Sequence, residues 1–468
     1  METLKIWDVF ERSRSFFPQK TALVHIDTDG NEKTFTYNIL SCDSENMVNT
    51  LSSYAVGGGQ RVCLCLPNSP ELVWSYLASS KIGATSVFLN PALPPERIKK
   101  ILKDTDSKLL IKKTANKIDF TGLRSLHKYL TSDTAAILYS SGTTGEQKGV
   151  KLSASNIYNN IKYTSALTGM TPEDKIICFL PLTHCFGLNF ILGACLYTGA
   201  TLVLHEKFDL KQVLESLVRN KITMFFAVPA IYNMMLKQKI DPFYFSSVRY
   251  FFYAADALSA DSILAWEREY GRKIYTGWGL TETSPFATSN HEAVYKPGSV
   301  GKPIPGVEVK VVKEQSEPYG EICVRGHNVM QGYWNRLAET AEAIDPDGWF
   351  HTGDVGAIDN DGHLFIIDRL KDMINVGGEK AWPAEIEKII LQHPDIAEVG
   401  VVGIPHPEIG EVPKAFVVSK NPILTKEDIQ DFVKSALMKH EFPREIEFIE
   451  KLPRNPSGKI LRRELRNK

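Results

Sequence analysis

Tyr139-Ser-Ser-Gly-Thr-Thr-Gly-Glu-Gln-Lys-Gly-Val150 packs three hydroxyls (Ser141, Thr143, Thr144), two loop-opening glycines and Lys148 into the eight positions 141–148. The apolar run Ala135–Tyr139 leads in as a buried strand, and Val150-Lys-Leu-Ser153 leads out as another. A tight glycine-bearing turn between two strands lets several backbone N–H groups converge, and that concavity holds oxyanions such as phosphate. Lys148 adds a positive charge to it. Ser, Thr and Gly also mark ordinary loops, but this density between two apolar strands points to a phosphate-handling loop. It is not a P-loop, which needs Gly-Lys-Ser or Gly-Lys-Thr and a helix behind it. Here Lys148 lies between Gln147 and Gly149, and a strand follows.

Working outward, strand-like apolar runs alternate with helical patterns. Arg61–Leu66, 108–111, Lys175–Leu180, Ala200–Leu204 and Ile222–Phe226 read as strands; Glu71–Ile82, Leu188–Tyr197 and Leu210–Asn220 read as helices. Such alternation predicts parallel α/β sheets with helices on their faces. From about 300 the pattern turns to short strands, Val307–Val312 and Glu321–Val324, expected to form a small β-rich lobe. After the charged run Asp368-Arg-Leu-Lys-Asp372 comes an α+β pattern: helix Pro383–Leu391, strands Val399–Val402 and 414–418, helix Thr425–Lys439. The expected organisation is an α/β N-terminal domain over 1–368, a junction at 369–372 and a smaller α+β C-terminal domain over 373–468.

At 468 residues the chain can bury more than one core. A net charge of −1 argues against nucleic acid as a bulk partner. Residues 434–468 differ, with ten Lys/Arg against five Asp/Glu; either a solvated helix face or a charge brought near a phosphate-bearing ligand would explain them. Seven cysteines are scattered without metal-ligand spacing, which fits a reducing compartment. The N-terminus has no signal-peptide pattern, and no apolar run is long enough to span a membrane. The expected location is cytoplasmic.

Three further stretches carry chemistry-bearing residues. In Lys273-Ile-Tyr-Thr-Gly-Trp-Gly-Leu-Thr-Glu-Thr283, a tryptophan between glycines would be left open to stack on a purine. Glu282 could hold the Mg²⁺ of a triphosphate; a plain turn with a packing tryptophan is the alternative. In Trp349-Phe-His-Thr-Gly-Asp-Val-Gly356, Asp354 suits ribose hydroxyls or simply forms a turn. In Pro453-Arg-Asn-Pro-Ser-Gly-Lys-Ile-Leu-Arg-Arg463, a turn fixes Lys459, which by itself reads as a surface lysine.

Together with Phe179-Leu-Pro-Leu-Thr-His-Cys-Phe-Gly187 and the segment 365–387, these motifs occur in an order that resembles the adenylate-forming superfamily of acyl-CoA synthetases, luciferases and stand-alone adenylation domains. The resemblance implies that ATP and Mg²⁺ bind and that a carboxylic acid is activated as acyl-AMP. The acyl group then passes to the thiol of CoA or of a carrier protein's phosphopantetheine. Ser140, Ser141, Gly142, Thr143, Thr144 and Lys148 would wrap the β- and γ-phosphates. Trp278, beside Gly277, would stack on adenine, and Thr281 would reach the α-phosphate. Glu282, with Thr144, would contact the metal; Asp354 and Arg369 would hold the ribose. Lys371 matches a hinge about which the C-terminal domain moves. Lys459 matches the lysine on the α-phosphate and the attacking carboxylate. Gly377, Gly378 and Lys380 would border the pantetheine tunnel, with Lys380 standing where many relatives have Gln or Arg. His184 matches the gate between acyl pocket and tunnel.

The pocket would draw on His184, Phe186, Ala254, Ala255, Asp256 and Phe286. The second motif lacks the Phe-Asp pair by which amino-acid-activating members hold an α-amino group, and Phe286 stands where many relatives are smaller. An aromatic or short-to-medium apolar acid is expected. Asp256 either pairs with a substrate amine or sits at the rim. A non-catalytic nucleotide-binding relative is the alternative from another class, against which Glu282, Asp354, Arg369 and Lys459 all speak. The oligomeric state is left open.

Overall fold

Continuous apolar runs of four or five residues need both faces covered, which is how parallel strands in α/β layers are built. The computed structural model, which describes residues 4–114, 117–125, 133–139, 147–315, 317–454 and 460–466, places them so. Met224–Ala227, Tyr250–Tyr253, Thr201–His205 and Arg61–Cys65 are buried at every position.

The chain packs as two units, residues 1–309 with 324–350, and 310–323 with 351–468. The first contains two sheets. One has nine strands in the order Lys302–Pro303, Phe286–Asn290, Ile274–Gly279, Tyr250–Tyr253, Met224–Ala227, Lys175–Cys178, Thr201–His205, Thr21–Ile26, Glu32–Thr36. Its central strands are parallel, and antiparallel strands close both edges. The other has seven strands, Gly332–Tyr333, Gly149–Ser153, Thr134–Tyr139, Thr85–Phe88, Arg61–Cys65, Leu109–Thr114 and Lys117–Gly122. The strands that flank the hydroxyl-rich loop form an antiparallel pair, Tyr139 opposite Gly149.

The second unit holds the hairpin formed by 351–358 and Leu364–Arg369, and a five-stranded sheet with its own apolar core of Ile374, Ile386, Val401, Ala415, Val417 and Ile429. Packing therefore divides the chain in a different place from the expected 368–372. Residues 310–323 and 351–368 pair with each other, Thr352 Oγ1 donating to the Ile322 carbonyl and His351 pairing with Glu321. They join the C-terminal segment where the Tyr319 hydroxyl donates to Glu385 Oε1 and Ala384 N to Asp368 Oδ2, each at 2.8 Å.

Two helices differ from expectation. Instead of one α-helix over 188–197, Phe186–Leu192 is a π-helix continued by an α-helix, Gly193–Thr198. Glycine lets this segment pack tightly, since a Cβ at Gly187 would lie 2.7 Å from the Pro181 carbonyl oxygen. The expected helix 425–439 stops at Val433. Beyond it the chain continues in turns, where Val433 O accepts from both Ala436 N and Leu437 N at 3.0 Å.

Candidate active site

The phosphate-handling loop itself, Ser140, Ser141, Gly142, Thr143 and Thr144, lies outside the described residues, as does Lys459. Its two ends are described and both are anchored. Tyr139 donates from its hydroxyl to Asp104 Oδ2 at 2.9 Å, and burial, with the Asp104 charge adding to it, pushes the phenol well above its ordinary value. Gly149 accepts at its carbonyl from Trp334 N at 2.7 Å. Lys148 sets its ammonium over the Tyr333 ring, 4.8 Å from the centroid.

The Tyr333 hydroxyl in turn donates to Glu282 Oε1 at 3.1 Å. Glu282 sits on a short 3₁₀ turn, Thr281–Thr283, which follows the strand carrying Gly277 and Trp278. Asn160 Nδ2 donates to the Thr283 carbonyl of this turn at 3.4 Å, and Asn160 Nδ2 and Asn328 Nδ2 both donate to the carbonyl of Phe286, which opens the following strand, at 2.7 and 2.9 Å. Glu282 is only 8% exposed. A carboxylate in such a position offers hard oxygen ligands, the donor chemistry that Mg²⁺ prefers; the residues present fit that ion.

Trp278 corrects the sequence reading. The flanking glycines were expected to leave it open, yet its side chain is buried. The glycines serve close approach instead. A Cβ at Gly279 would fall 1.9 Å from the Pro285 carbonyl oxygen, and one at Gly277 would lie 2.7 Å from the Phe286 ring.

The second motif meets the third through a sulfur. Cys185 Sγ lies 3.5 Å from Thr281 Oγ1 and 3.9 Å from His184 Nδ1. His184 is exposed, and the electrostatic pull of the Cys185 sulfur raises its imidazole above the ordinary histidine value. Phe186 is buried among aromatic rings, 5.9 Å from Phe286, 6.1 Å from Phe190 and 6.1 Å from Phe252 by centroid. Ala254 is buried as well; Ala255 and Asp256 are exposed, Ala255 in the left-handed region at φ 76°. Asp256 Oδ1 accepts from Ala257 N at 3.0 Å.

Within the second unit, Asp354 and Arg369 face each other across the hairpin, and Arg369 Nε pairs with Asp354 Oδ1 at 2.6 Å. Asp354 is therefore a strand residue rather than a turn-former. Lys371 lies on an exposed 3₁₀ turn. Gly377 and Gly378 take left-handed φ values of 62° and 97° in the bend between two short strands. Lys380 is tied to Glu317 at 3.1 Å and Glu314 at 3.6 Å. The basic tail splits: Arg462 is turned inward onto Glu387 and the Val401 carbonyl, while Arg466 pairs with Asp372 at 3.0 Å.

Four contributors escaped the sequence. Tyr333, Cys185 and Asn160 gain their roles only from tertiary register. Asn189 lies on the π-helix with Phe186 and is 1% exposed. Neither its Nδ2 nor its Oδ1 has a hydrogen-bond partner among the described residues. An AMP-flavoured motif does not announce such a group, but a polar residue inside an apolar helix was a visible signal.

The family model described as "AMP-binding enzyme" matches residues 10–131 and 124–334, and that of the "AMP-binding enzyme C-terminal domain" matches 385–459. The chain is 33% identical to 4-coumarate:CoA ligase 1 of Petunia hybrida over 486 residues, covering 93% of this chain and 89% of the relative. It superimposes on ATP-bound MatB from Rhodopseudomonas palustris with TM-score 0.90 at 27% identity, covering 99% of both chains. The o-succinylbenzoate CoA synthetase of Bacillus subtilis, bound to its acyl-adenylate intermediate, gives TM-score 0.87 at 30% identity over 99% of this chain and 98% of that one. The same synthetase has been solved with ATP and a magnesium ion. The chain belongs to the AMP-binding enzyme family.

Proposed function

We propose that the chain joins a carboxylic acid to ATP, releases pyrophosphate, and passes the acyl group of the resulting acyl-AMP to the thiol of CoA. It is an AMP-forming acid–thiol ligase. The observation that carries this reading is the convergence, in one unit, of Lys148, Glu282, Thr281 and His184 from three separated motifs.

Attack of a carboxylate on the α-phosphorus forces two anions together. Groups that offset this repulsion act where charge builds up in the transition state. We assign Lys148 and the hydroxyls of the 140–144 loop to the β- and γ-phosphates, and Thr281 to the α-phosphate. Lys459 is assigned to the α-phosphate and the attacking carboxylate, and Asp354 with Arg369 to the ribose. Mg²⁺, held by Glu282 and Thr144, would supply charge neutralisation on the triphosphate. For thiolation we assign a hinge at 369–372, including Lys371, within the domain scheme 1–368 and 373–468. Gly377, Gly378 and Lys380 would border the pantetheine path, with His184 as the gate.

The acid is aromatic or short-to-medium apolar. The rings of Phe186 and Phe286 support that choice, as do the aromatic acids named for two of the relatives. We assign Asn189, buried on the π-helix of Phe186 and without a hydrogen-bond partner among the described residues, to a polar atom of that acid, and Asp256 to a substrate amine or the pocket's rim. Among the described residues no helix is long and apolar enough to cross a membrane. We assign the enzyme to the cytoplasm on its seven free cysteines, which suit a reducing compartment. A screen of acids by ATP–pyrophosphate exchange, then thiolation with CoA against carrier-protein phosphopantetheine, tests the assignment. Exchange with an aryl acid followed by transfer to CoA is expected; transfer to the carrier alone would shift the acceptor, and no exchange with any acid would overturn the reaction.

A further inference from the structure

Residues 330–334 grip two motifs at once. The short strand Gly332–Tyr333 runs antiparallel to Gly149–Ser153, with Tyr333 opposite Val150. Gln331 N donates to the Lys151 carbonyl at 3.0 Å and Trp334 N to that of Gly149 at 2.7 Å. On its other side the same segment holds the Glu282 turn, Met330 N donating to the Glu282 carbonyl at 2.8 Å. Tyr333 is locked further by Thr340, whose Oγ1 accepts from Tyr333 N at 2.9 Å. Gly332, at φ 121°, has no room for a Cβ, which would meet Thr340 Cγ2 at 2.6 Å.

From this fixed backbone the Tyr333 side chain serves two charges. Its ring lies under the Lys148 ammonium at 4.8 Å, and its hydroxyl donates to Glu282 at 3.1 Å. We propose that Tyr333 is a positioning residue for nucleotide binding, seating Lys148 through its ring and presenting the Glu282 carboxylate to the divalent cation through its hydroxyl. The proposal rests on assigning Lys148 and Glu282 to the nucleotide. Partners that orient a metal-binding carboxylate typically change metal affinity by about 10–100-fold when removed, whereas a cation over an aromatic face needs only the ring.

These two roles separate in binding measurements on the full chain, with no turnover required. ATP is titrated calorimetrically in EDTA and at graded Mg²⁺, with melting temperature recorded alongside. Tyr333→Phe keeps the ring and loses the hydroxyl. It is expected to leave ATP affinity in EDTA unchanged and to raise the Mg²⁺ concentration for half-maximal effect about tenfold. Tyr333→Leu should in addition weaken ATP binding in EDTA several-fold. In a Glu282→Gln background, Tyr333→Phe should add nothing to the Mg²⁺ response. A Phe variant with wild-type Mg²⁺ dependence, or one that loses equal affinity with and without Mg²⁺, would overturn the proposal. A wild-type protein that fails to bind ATP at any Mg²⁺ concentration would instead overturn the nucleotide assignment beneath it.

Discussion

Cys185 Sγ and Thr281 Oγ1 lie 3.5 Å apart, so a single sulfur joins the Phe179–Gly187 motif to the turn that follows Trp278. The same sulfur sits beside His184 and raises its imidazole above the ordinary value. A raised histidine binds its proton more tightly folded than unfolded. Its contribution to stability is complete below the ordinary histidine range and is lost as pH rises through the elevated folded value. In Cys185→Ala, the His184 titration followed by NMR should therefore move to lower pH, and the extra acid-side stability should shrink. An unmoved titration would show that the sulfur is not the cause.

Lys459→Ala should abolish acyl-AMP formation and leave the thiolation of presynthesised acyl-AMP largely intact. Losing a preorganised charge at a transition state typically costs about 10²–10³ in rate. The two half-reactions are measured separately; equal losses in both would contradict the role assigned to this lysine.

Asn189 carries a prediction in which stability and activity move in opposite directions. An unpaired buried amide costs about 1–3 kcal/mol, so Asn189→Leu, similar in volume, should raise the melting temperature. It should also lower kcat/KM for acids bearing a polar substituent while the KM for ATP holds. A fall in melting temperature would mean that the amide is already satisfied.

Arg462 tests the inward-facing part of the basic tail. Its guanidinium pairs with Glu387, and both side chains are mostly shielded, at 16% and 12% exposure. Removing one member of a buried pair strands the other, at about 3–5 kcal/mol. Arg462→Ala should lower the urea-unfolding free energy of the chain by that order, and Arg462→Ala with Glu387→Leu should recover part of it. A near-neutral Arg462→Ala would place this arginine with the surface charges.

Much of the architecture was readable because parallel strands write themselves as continuous apolar runs, Thr201–His205 and Met224–Ala227 among them. Helix ends were less readable. The helix stops at Val433 although no Gly or Pro follows before Pro443, so no residue type in the sequence marks its end. Gly277 and Gly279 were visible, but their partners Phe286 and the Pro285 carbonyl approach from an antiparallel strand and a turn, so close packing looked like exposure. Tyr333 was invisible for a related reason: it lies 51 positions from Glu282, and only the register with Val150 brings the two together. Motif residues are local in sequence, whereas the groups that aim them are recruited by the sheets.

Mass spectrometry of the purified protein with ATP, Mg²⁺ and an aryl carboxylic acid, in the absence of any thiol, tests the central claim most directly. Enzyme-bound acyl-AMP and free pyrophosphate should accumulate, and CoA should convert the adenylate to acyl-CoA and AMP. ADP and inorganic phosphate in place of AMP and pyrophosphate would contradict it.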